Sequence, residues 1–122
     1  MISKKILIVD DEPSFAEMLK TRLEASGYNV DVAPGGQEGL EMLEKCKYNL
    51  ILLDVMMPEV DGFEVLESIG KISKNQHTPV IMLTAKGETK NILEAQKMGA
   101  KDYILKRFDS KTLMRTIRRY LH

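Results

Sequence analysis

The sequence predicts a single α/β domain, a doubly wound (βα)5 three-layer sandwich around a five-stranded parallel sheet. Two observations predict this fold. Five short apolar runs recur along the chain, and longer segments with apolar residues at helical spacing separate them. Strands that alternate with helices form a parallel sheet with helices on both faces. A closed eight-stranded barrel would need about twice as many residues.

The five predicted strands are rich in β-branched residues and leucine. They are Ile6–Val9, Val30–Ala33, Leu50–Leu53, Val80–Leu83 and Tyr103–Leu105. Near-continuous apolarity in runs this short indicates strands that are buried on both faces. The clearest helical patterns are Phe15, Met18, Leu19 and Leu23 in the first helix and Leu113, Met114, Ile117 and Leu121 in the last. We therefore expect amphipathic helices that cover the sheet.

Residues typical of helix ends support these boundaries. Pro13 suits the first turn of a helix, where the missing N–H costs nothing. Gly27 and Gly99 lie where helix C-caps are expected. Asp109 or Ser110 is expected to cap the last helix at its N-terminus.

The formal net charge is zero, but the acidic and basic residues are unevenly distributed along the chain. Residues 1–67 carry 14 acidic and 6 basic residues, whereas residues 97–122 carry 2 acidic and 8 basic residues. Zero net charge argues against a general polyanion binder, so we expect no direct nucleic-acid binding. The asymmetry itself indicates ion or partner binding.

Cysteine content and hydropathy predict a cytoplasmic protein. Cys46 is the single cysteine, so an internal disulfide is impossible, which suits a reducing compartment. No apolar run approaches the roughly 18–20 residues of a membrane helix, and we expect no membrane association.

Chemically competent side chains follow four of the five predicted strands. They are Asp10–Glu12 after the first strand, Asp54 after the third, Thr84 after the fourth and Lys106 after the fifth. Because parallel strands place their carboxyl ends at one edge of the sheet, we expect these groups to converge. Clustered carboxylates need a cation, and oxygen ligands favour Mg²⁺. A hydroxyl and an ammonium beside it can hold a phosphoryl group, so phosphoryl transfer to Asp54 is predicted.

Four motifs along the chain carry a family resemblance. They are Ile6–Pro13, Leu52–Gly62, Leu83–Ala85 and Gly99–Lys106. With these motifs the chain resembles a response-regulator receiver domain of two-component signalling over essentially its whole length. The resemblance implies one receiver domain over residues 1–122, a flavodoxin-like sheet with strand order 2-1-3-4-5, and a signalling protein rather than an enzyme.

The resemblance also implies roles at the acidic pocket. Asp54 would accept the phosphoryl group from a sensor histidine kinase or a histidine phosphotransfer protein. Asp11, Asp54 and the backbone carbonyl of Met56 would ligate Mg²⁺, and Asp10 would act through water. Lys106 would pair with the acyl phosphate.

A conformational switch is implied as well. The Thr84 hydroxyl would turn to a phosphate oxygen, and Tyr103 would swing inward behind it. This shift would remodel the surface formed by the fourth helix, the fifth strand and the fifth helix. Its target would be a downstream protein or a fused output domain. With no segment after residue 122, we expect signalling by protein contact. The chain would be a stand-alone protein or an excised domain. We expect a monomer or a weak, phosphorylation-dependent dimer.

One position departs from the family pattern, and two others affect how fast the acyl phosphate is hydrolysed in the family. Arg107 follows Lys106, where the family usually has a proline joined through a cis peptide bond, and this leaves the local geometry open. Met56 and Lys86 occupy positions that tune hydrolysis of the acyl phosphate in the family. Because Met56 offers no group to orient water, we predict slow self-dephosphorylation.

Other interpretations remain open. A haloacid-dehalogenase-like phosphohydrolase also uses an aspartyl phosphate, but it needs a second Asp where this chain has Met56. A receiver-like module that is never phosphorylated is a further alternative. Glu12 is interpreted as a first-turn helix charge. The basic residues of the last helix indicate either a solvated face or a face for an acidic partner; they are Lys111, Arg115, Arg118 and Arg119.

Overall fold

The computed structural model of the chain describes residues 3–85, 89–107 and 109–121. Its strands are β1 (Lys5–Val9), β2 (Asn29–Ala33), β3 (Leu50–Asp54), β4 (Val80–Thr84) and β5 (Asp102–Leu105). Its helices are α1 (Pro13–Ala25), α2 (Gly36–Lys45), α3 (Gly62–Ile69), α4 (Thr89–Lys97) and α5 (Ser110–Arg119). Elements alternate along the chain as predicted.

All five strands are parallel and form one sheet in the order β2-β1-β3-β4-β5, which confirms the predicted order. β1 lies between β2 and β3, so the chain reverses its direction of travel across the sheet after β2. The carboxyl ends of β1 and β3 therefore lie side by side at the switch point, where α/β sheets bind ligands.

Two hydrophobic cores cover the two faces of the sheet, as a three-layer sandwich requires. On one face, alternate strand residues such as Leu7 and Val9 pack with α2, α3 and α4. On the other face, Ile6 and Ile8 pack with α1 and α5. Alternation along a strand sends successive side chains to opposite faces, and both faces are apolar because both are covered.

The helix ends follow the predicted signals. Pro13 is the first residue of α1, and Gly27 and Gly99 adopt left-handed conformations with φ of +93° and +108°. Between the two candidate caps of α5, Asp109 is the N-cap, and its side chain accepts a hydrogen bond of 2.8 Å from the backbone N–H of Thr112.

Two further features bear on the sequence predictions. The Lys106–Arg107 junction lies in the described ranges, and no peptide bond in those ranges is cis. Among the helices that the structure describes, none has the length and apolarity to cross a membrane.

Candidate functional site

The side chains that were predicted to converge lie at the carboxyl edge of the sheet. Asp10 follows β1, Asp54 ends β3, Thr84 ends β4 and Lys106 follows β5. The first three are buried, although their residue types are usually exposed. Buried polar groups gathered at the switch point of an α/β sheet form the candidate site.

Lys106 connects the acidic residues of this pocket. Its Nζ lies 3.1 Å from Oδ2 of Asp10 and 3.4 Å from Oδ2 of Asp54. It also donates a short hydrogen bond to the Glu12 carboxylate. The ring of Phe15 lies beneath it, with 4.9 Å from Nζ to the ring centroid. One ammonium therefore serves three carboxylates at once.

The acid Asp54 has a strongly perturbed affinity for protons. Burial raises its pKa from the ordinary 3.8 to about 7, and the negative charge of Asp10 and a side-chain hydrogen bond with Asp11 act in the same direction. Lys106 opposes the shift and offsets part of it. One ammonium is thus insufficient to keep the pocket fully ionised at neutral pH.

Lys106 itself remains cationic. Burial lowers the pKa of its ammonium, but hydrogen bonds to Glu12 and Asp10, together with the charge of Asp54, outweigh burial and leave the pKa above its ordinary value. The site therefore has a permanent positive charge on one side and an excess of carboxylate on the other.

The donor set of the pocket fits a hard divalent cation. Oxygens of Asp10, Glu12 and Asp54 lie within 4.8 Å of one another. Oδ1 of Asp10 accepts hydrogen bonds from the backbone N–H of Glu12 and from Lys106. Oδ2 of Asp10 is buried and makes no hydrogen bond with the described residues, although it lies within ion-pair distance of Lys106. A buried carboxylate oxygen that accepts no hydrogen bond from the described residues, in an all-oxygen cluster, suits Mg²⁺.

Glu12 belongs to this cluster, a role that was not predicted from the sequence. It is the N-cap residue of α1, with an extended backbone, and its side chain offers no cap to the helix. Its carboxylate turns to Lys106 instead. The available signal was its position two residues after Asp10 and directly before Pro13, at the rim of the predicted pocket.

The loop after β3 is held against the pocket by Gly62. Its N–H donates a 3.0 Å hydrogen bond to the carbonyl of Val55. A Cβ at this position would come within 2.3 Å of the Asp54 carbonyl oxygen, so only glycine fits here. In the same loop, the Met56 side chain is 74% exposed. Gly62 ends the Leu52–Gly62 motif, but its approach to Asp54 was not predicted from the sequence.

Thr84 and Tyr103 border one cavity on the far side of the pocket. This cavity lies between β4, β5 and α4 and is lined chiefly by apolar side chains, including those of Met82, Ile92 and Ala95. The Tyr103 ring is exposed at the sheet edge, in register with Met82 on β4. Lys86, at the second position expected to tune hydrolysis, lies outside the described residues.

The fold and the acidic pocket together define a receiver-type signalling module. The family profile described as "Response regulator receiver domain" matches residues 6–118, and the chain belongs to this family. Members of the family act as signalling modules of two-component systems and are not classical enzymes. The predicted family membership is confirmed.

Solved structures agree with this assignment. The chain is 33% identical to the chemotaxis protein CheY4 of Vibrio cholerae, with a TM-score of 0.93 and coverage of 98% and 99% of the two chains. It is 29% identical to the receiver domain of the sensor histidine kinase PA1611 of Pseudomonas aeruginosa, with a TM-score of 0.88 and 98% coverage of both. That receiver domain was solved with a magnesium ion coordinated in its active-site cleft.

Curated relatives are longer than this chain. It is 44% identical over 115 residues to the "Probable transcriptional regulator ycf27" of Galdieria sulphuraria. The aligned residues make up 94% of this chain and 44% of that protein. It is 41% identical over 120 residues to the "Transcriptional regulatory protein SrrA" of Staphylococcus aureus, covering 98% and 48%. The chain thus spans less than half the length of these relatives. Since their names indicate transcriptional regulation, the absence of nucleic-acid binding stays a prediction.

Proposed function

We propose that this chain is a phosphoryl-accepting receiver in a two-component or phosphorelay pathway, with Asp54 as the acceptor. The observation that carries the proposal is the buried Asp54 carboxylate at the end of β3, with Lys106 3.4 Å away and Asp10 in the same pocket. The donor is the phosphohistidine of a sensor histidine kinase or of a histidine phosphotransfer protein.

The transfer step uses Asp54 as a nucleophile. A carboxylate oxygen attacks phosphorus and forms the new O–P bond, while the N–P bond of the donor breaks and its electron pair returns to the imidazole, which takes up a proton from solvent. Because burial raises the pKa of Asp54 to about 7, the nucleophilic form requires additional positive charge nearby. The charge of Lys106 already acts on this pKa, so the additional charge has another source. Lys106 itself pairs with the phosphoryl oxygens of the product.

Mg²⁺ is the second source of positive charge in this proposal. Asp11, Asp54 and the backbone carbonyl of Met56 would hold the ion, and Asp10 would act through a water molecule. When bound, the ion neutralises the acidic pocket and the phosphoryl oxygens. Oδ2 of Asp10, which accepts no hydrogen bond from the described residues, and the raised pKa of Asp54 both support a second cation in this pocket.

Signal output would use the cavity beside Thr84. The Thr84 hydroxyl would turn to a phosphoryl oxygen, and Tyr103, exposed in this structure, would move into the adjoining cavity. The surface of α4, β5 and α5 would then change its affinity for a downstream protein or a fused output domain. We expect a cytoplasmic single receiver domain over residues 1–122 that is a monomer or a weak, phosphorylation-dependent dimer.

The geometry favours this proposal over the phosphohydrolase alternative. A phosphohydrolase of the haloacid-dehalogenase type needs a carboxylic acid two positions after the nucleophile. That position is Met56, whose exposed side chain has no acidic group. The complete set of Asp10, Asp54, Thr84 and Lys106 at one edge also argues against a module that is never phosphorylated.

Phosphorylation by a small donor tests the proposal directly. We expect acetyl phosphate with Mg²⁺ to add one phosphoryl group, as measured by intact-protein mass, and excess chelator to abolish the adduct. Asp54→Ala should remove the adduct, whereas Glu41→Gln, an exposed carboxylate change on α2, should retain it. An adduct that persists in Asp54→Ala, or that forms equally without Mg²⁺, would refute the assignment.

A further inference from the structure

Three carboxylates share the ammonium of Lys106 in this structure. An ammonium has three N–H donors and no more. It faces three carboxylates, with Nζ 3.1 Å from Asp10 and 3.4 Å from Asp54, and it donates to Glu12. A further acceptor in the pocket therefore has to compete with these carboxylates for the N–H groups of Lys106.

The three carboxylates differ in how easily they can release the ammonium. The side chains of Asp10 and Asp54 are 0% and 5% exposed, whereas that of Glu12 is 58% exposed. A buried carboxylate that loses its cation keeps an uncompensated charge, which is costly. An exposed carboxylate regains water when its partner leaves, so its ion pair contributes little net free energy. Glu12 is therefore the partner that Lys106 can release most easily.

The backbone around Glu12 is arranged to keep its carboxylate at the rim. Its N–H donates a 2.9 Å hydrogen bond to Oδ1 of Asp10, and Pro13 fixes the next residue as the start of α1. Phe15, in the same turn, places its ring beneath the ammonium. The N-terminus of α1 thus contacts Lys106 from the solvent side, while the sheet edge contacts it from within.

We propose that Glu12 is a positioning residue that holds Lys106 in the unphosphorylated protein and releases it when a phosphoryl group arrives on Asp54. The proposal rests on the proposed function, since it needs a phosphoryl group in the pocket. The phosphoryl oxygens form the fourth acceptor and carry more charge than the carboxylate they replace. Glu12 then competes with them for Lys106, and this competition weakens the hold of the pocket on the phosphoryl group.

Beryllofluoride, a stable mimic of the aspartyl phosphoryl group, provides the test. Its affinity is measured by titration calorimetry at saturating Mg²⁺, and that of Mg²⁺ alone is measured separately. We expect Glu12→Gln to bind beryllofluoride about threefold to tenfold more tightly, because a neutral amide competes for Lys106 more weakly than a carboxylate does. It should bind Mg²⁺ about twofold to fivefold more weakly, because a nearby negative charge is lost. Glu17→Gln, an exposed change on the same helix, should alter neither affinity.

Opposite changes in the two affinities separate positioning from damage to the fold, since partial unfolding would weaken both. The carboxyl ¹³C resonance of Glu12 gives a direct measure of release. We expect beryllofluoride to shift this resonance to the position that it has in Lys106→Met, where the ammonium is absent. An unchanged resonance, or a beryllofluoride affinity in Glu12→Gln equal to or weaker than that of the wild type, overturns the role of Glu12.

The outcome for the wild type separates this inference from the function on which it rests. If the wild-type protein binds beryllofluoride only with Mg²⁺ and Glu12→Gln fails to bind more tightly, the role of Glu12 is wrong and the receiver function stands. If the wild-type protein shows no Mg²⁺-dependent binding and no phosphoryl adduct on Asp54, both proposals are wrong.

Discussion

Nζ of Lys106 lies 3.1 Å from Oδ2 of Asp10, although 96 positions separate the two residues in the chain. The pair joins the end of β5 to the end of β1 across β3 and β4. Asp54 lies between them and shares the same ammonium. Lys106 is therefore part of the folded pocket before any ion or phosphoryl group binds.

Removal of this ammonium should destabilise the protein. In Lys106→Met, Asp10 and Asp54 lose their cation, and breaking a buried pair typically costs about 3–5 kcal/mol. Because Asp54 can take up a proton, we expect a smaller loss, about 2–4 kcal/mol in the free energy of unfolding at pH 8. Urea denaturation in chelator measures the loss, and Mg²⁺ should restore part of it. Lys111→Met, an exposed change on α5, is the control, and equal losses in both variants would contradict this role for Lys106.

The raised pKa of Asp54 predicts a pH dependence of stability. Between pH 4 and about pH 7 the folded protein keeps a proton on Asp54 that the unfolded chain has lost. The folded state binds more protons there, so this stabilisation is complete below pH 4 and is lost as the pH rises through about 7. Asp54→Asn should remove this decrease of the free energy of unfolding with pH. It should also raise the free energy of unfolding at pH 8 by about 1–2 kcal/mol.

Urea denaturation of metal-free protein from pH 5 to pH 8 checks this expectation. Glu41→Gln should keep the wild-type slope, because that carboxylate is exposed and lies outside the pocket. If the free energy of unfolding of Asp54→Asn changes with pH as in the wild type and is no higher at pH 8, Asp54 titrates normally in the folded protein.

Gly62 should tolerate no side chain. Its Cβ would lie 2.3 Å from the Asp54 carbonyl oxygen and 2.9 Å from Cα of Val55, and backbone atoms cannot move aside cheaply. We expect Gly62→Ala to lower the free energy of unfolding by about 2–4 kcal/mol. Gly70→Ala is the matched control, because the nearest atom to its Cβ is 3.5 Å away. Equal denaturation midpoints for the two variants would contradict the close approach.

The lifetime of the acyl phosphate should depend on Met56. Its exposed thioether cannot orient an attacking water, so we expect slow self-dephosphorylation. Met56→Asn should shorten the lifetime about tenfold, as followed by loss of the phosphoryl adduct over time. Met18→Asn changes another exposed methionine, on α1, and should leave the lifetime unchanged. A wild-type lifetime of only seconds would show that the prediction is wrong.

A buried amide far from the pocket should be important for stability. Asn75 donates hydrogen bonds of 2.6 Å and 2.7 Å to the carbonyls of Leu43 and Cys46, and it accepts one of 2.9 Å from the N–H of Tyr48. Asn75→Ala leaves these buried groups unpaired and should cost about 2–4 kcal/mol. Thermal or urea denaturation measures the loss, and exposed Gln76→Ala should cost less than about 0.5 kcal/mol. A loss below about 1 kcal/mol for Asn75→Ala would mean that water replaces the amide.

The positions of the strands were predictable because burial on both faces of the sheet requires a continuous run of apolar residues. Each predicted strand differs from the observed one by at most one residue at either end, as Ile6–Val9 and β1 illustrate. A strand covered on both faces has to be apolar at every position, and such runs are visible without any partner. The convergence of Asp54 and Lys106 at one edge followed from parallel topology alone.

Three features of the site and its surroundings were not visible in the sequence. The role of Glu12 depends on the direction of its side chain, which turns from α1 to an ammonium 94 positions away. The close approach of Gly62 to Asp54 depends on the path of a loop. The hydrogen bonds of Asn75 join α2, its following loop and the segment before β4. No periodic pattern in the sequence signals these contacts, because each joins segments that meet only in the folded chain.

The sequence by itself determined the alternation of strands and helices, the order of the polar residues after the strands, and through both the family. These are properties of local burial and of motif spacing, which a linear chain carries. Only the tertiary structure decided that one ammonium serves Asp10, Glu12 and Asp54, and that burial together with the charge of Asp10 raises the pKa of Asp54 to about 7. Charge interactions depend on distance and on exclusion of water, and both are set by how the strands and helices pack.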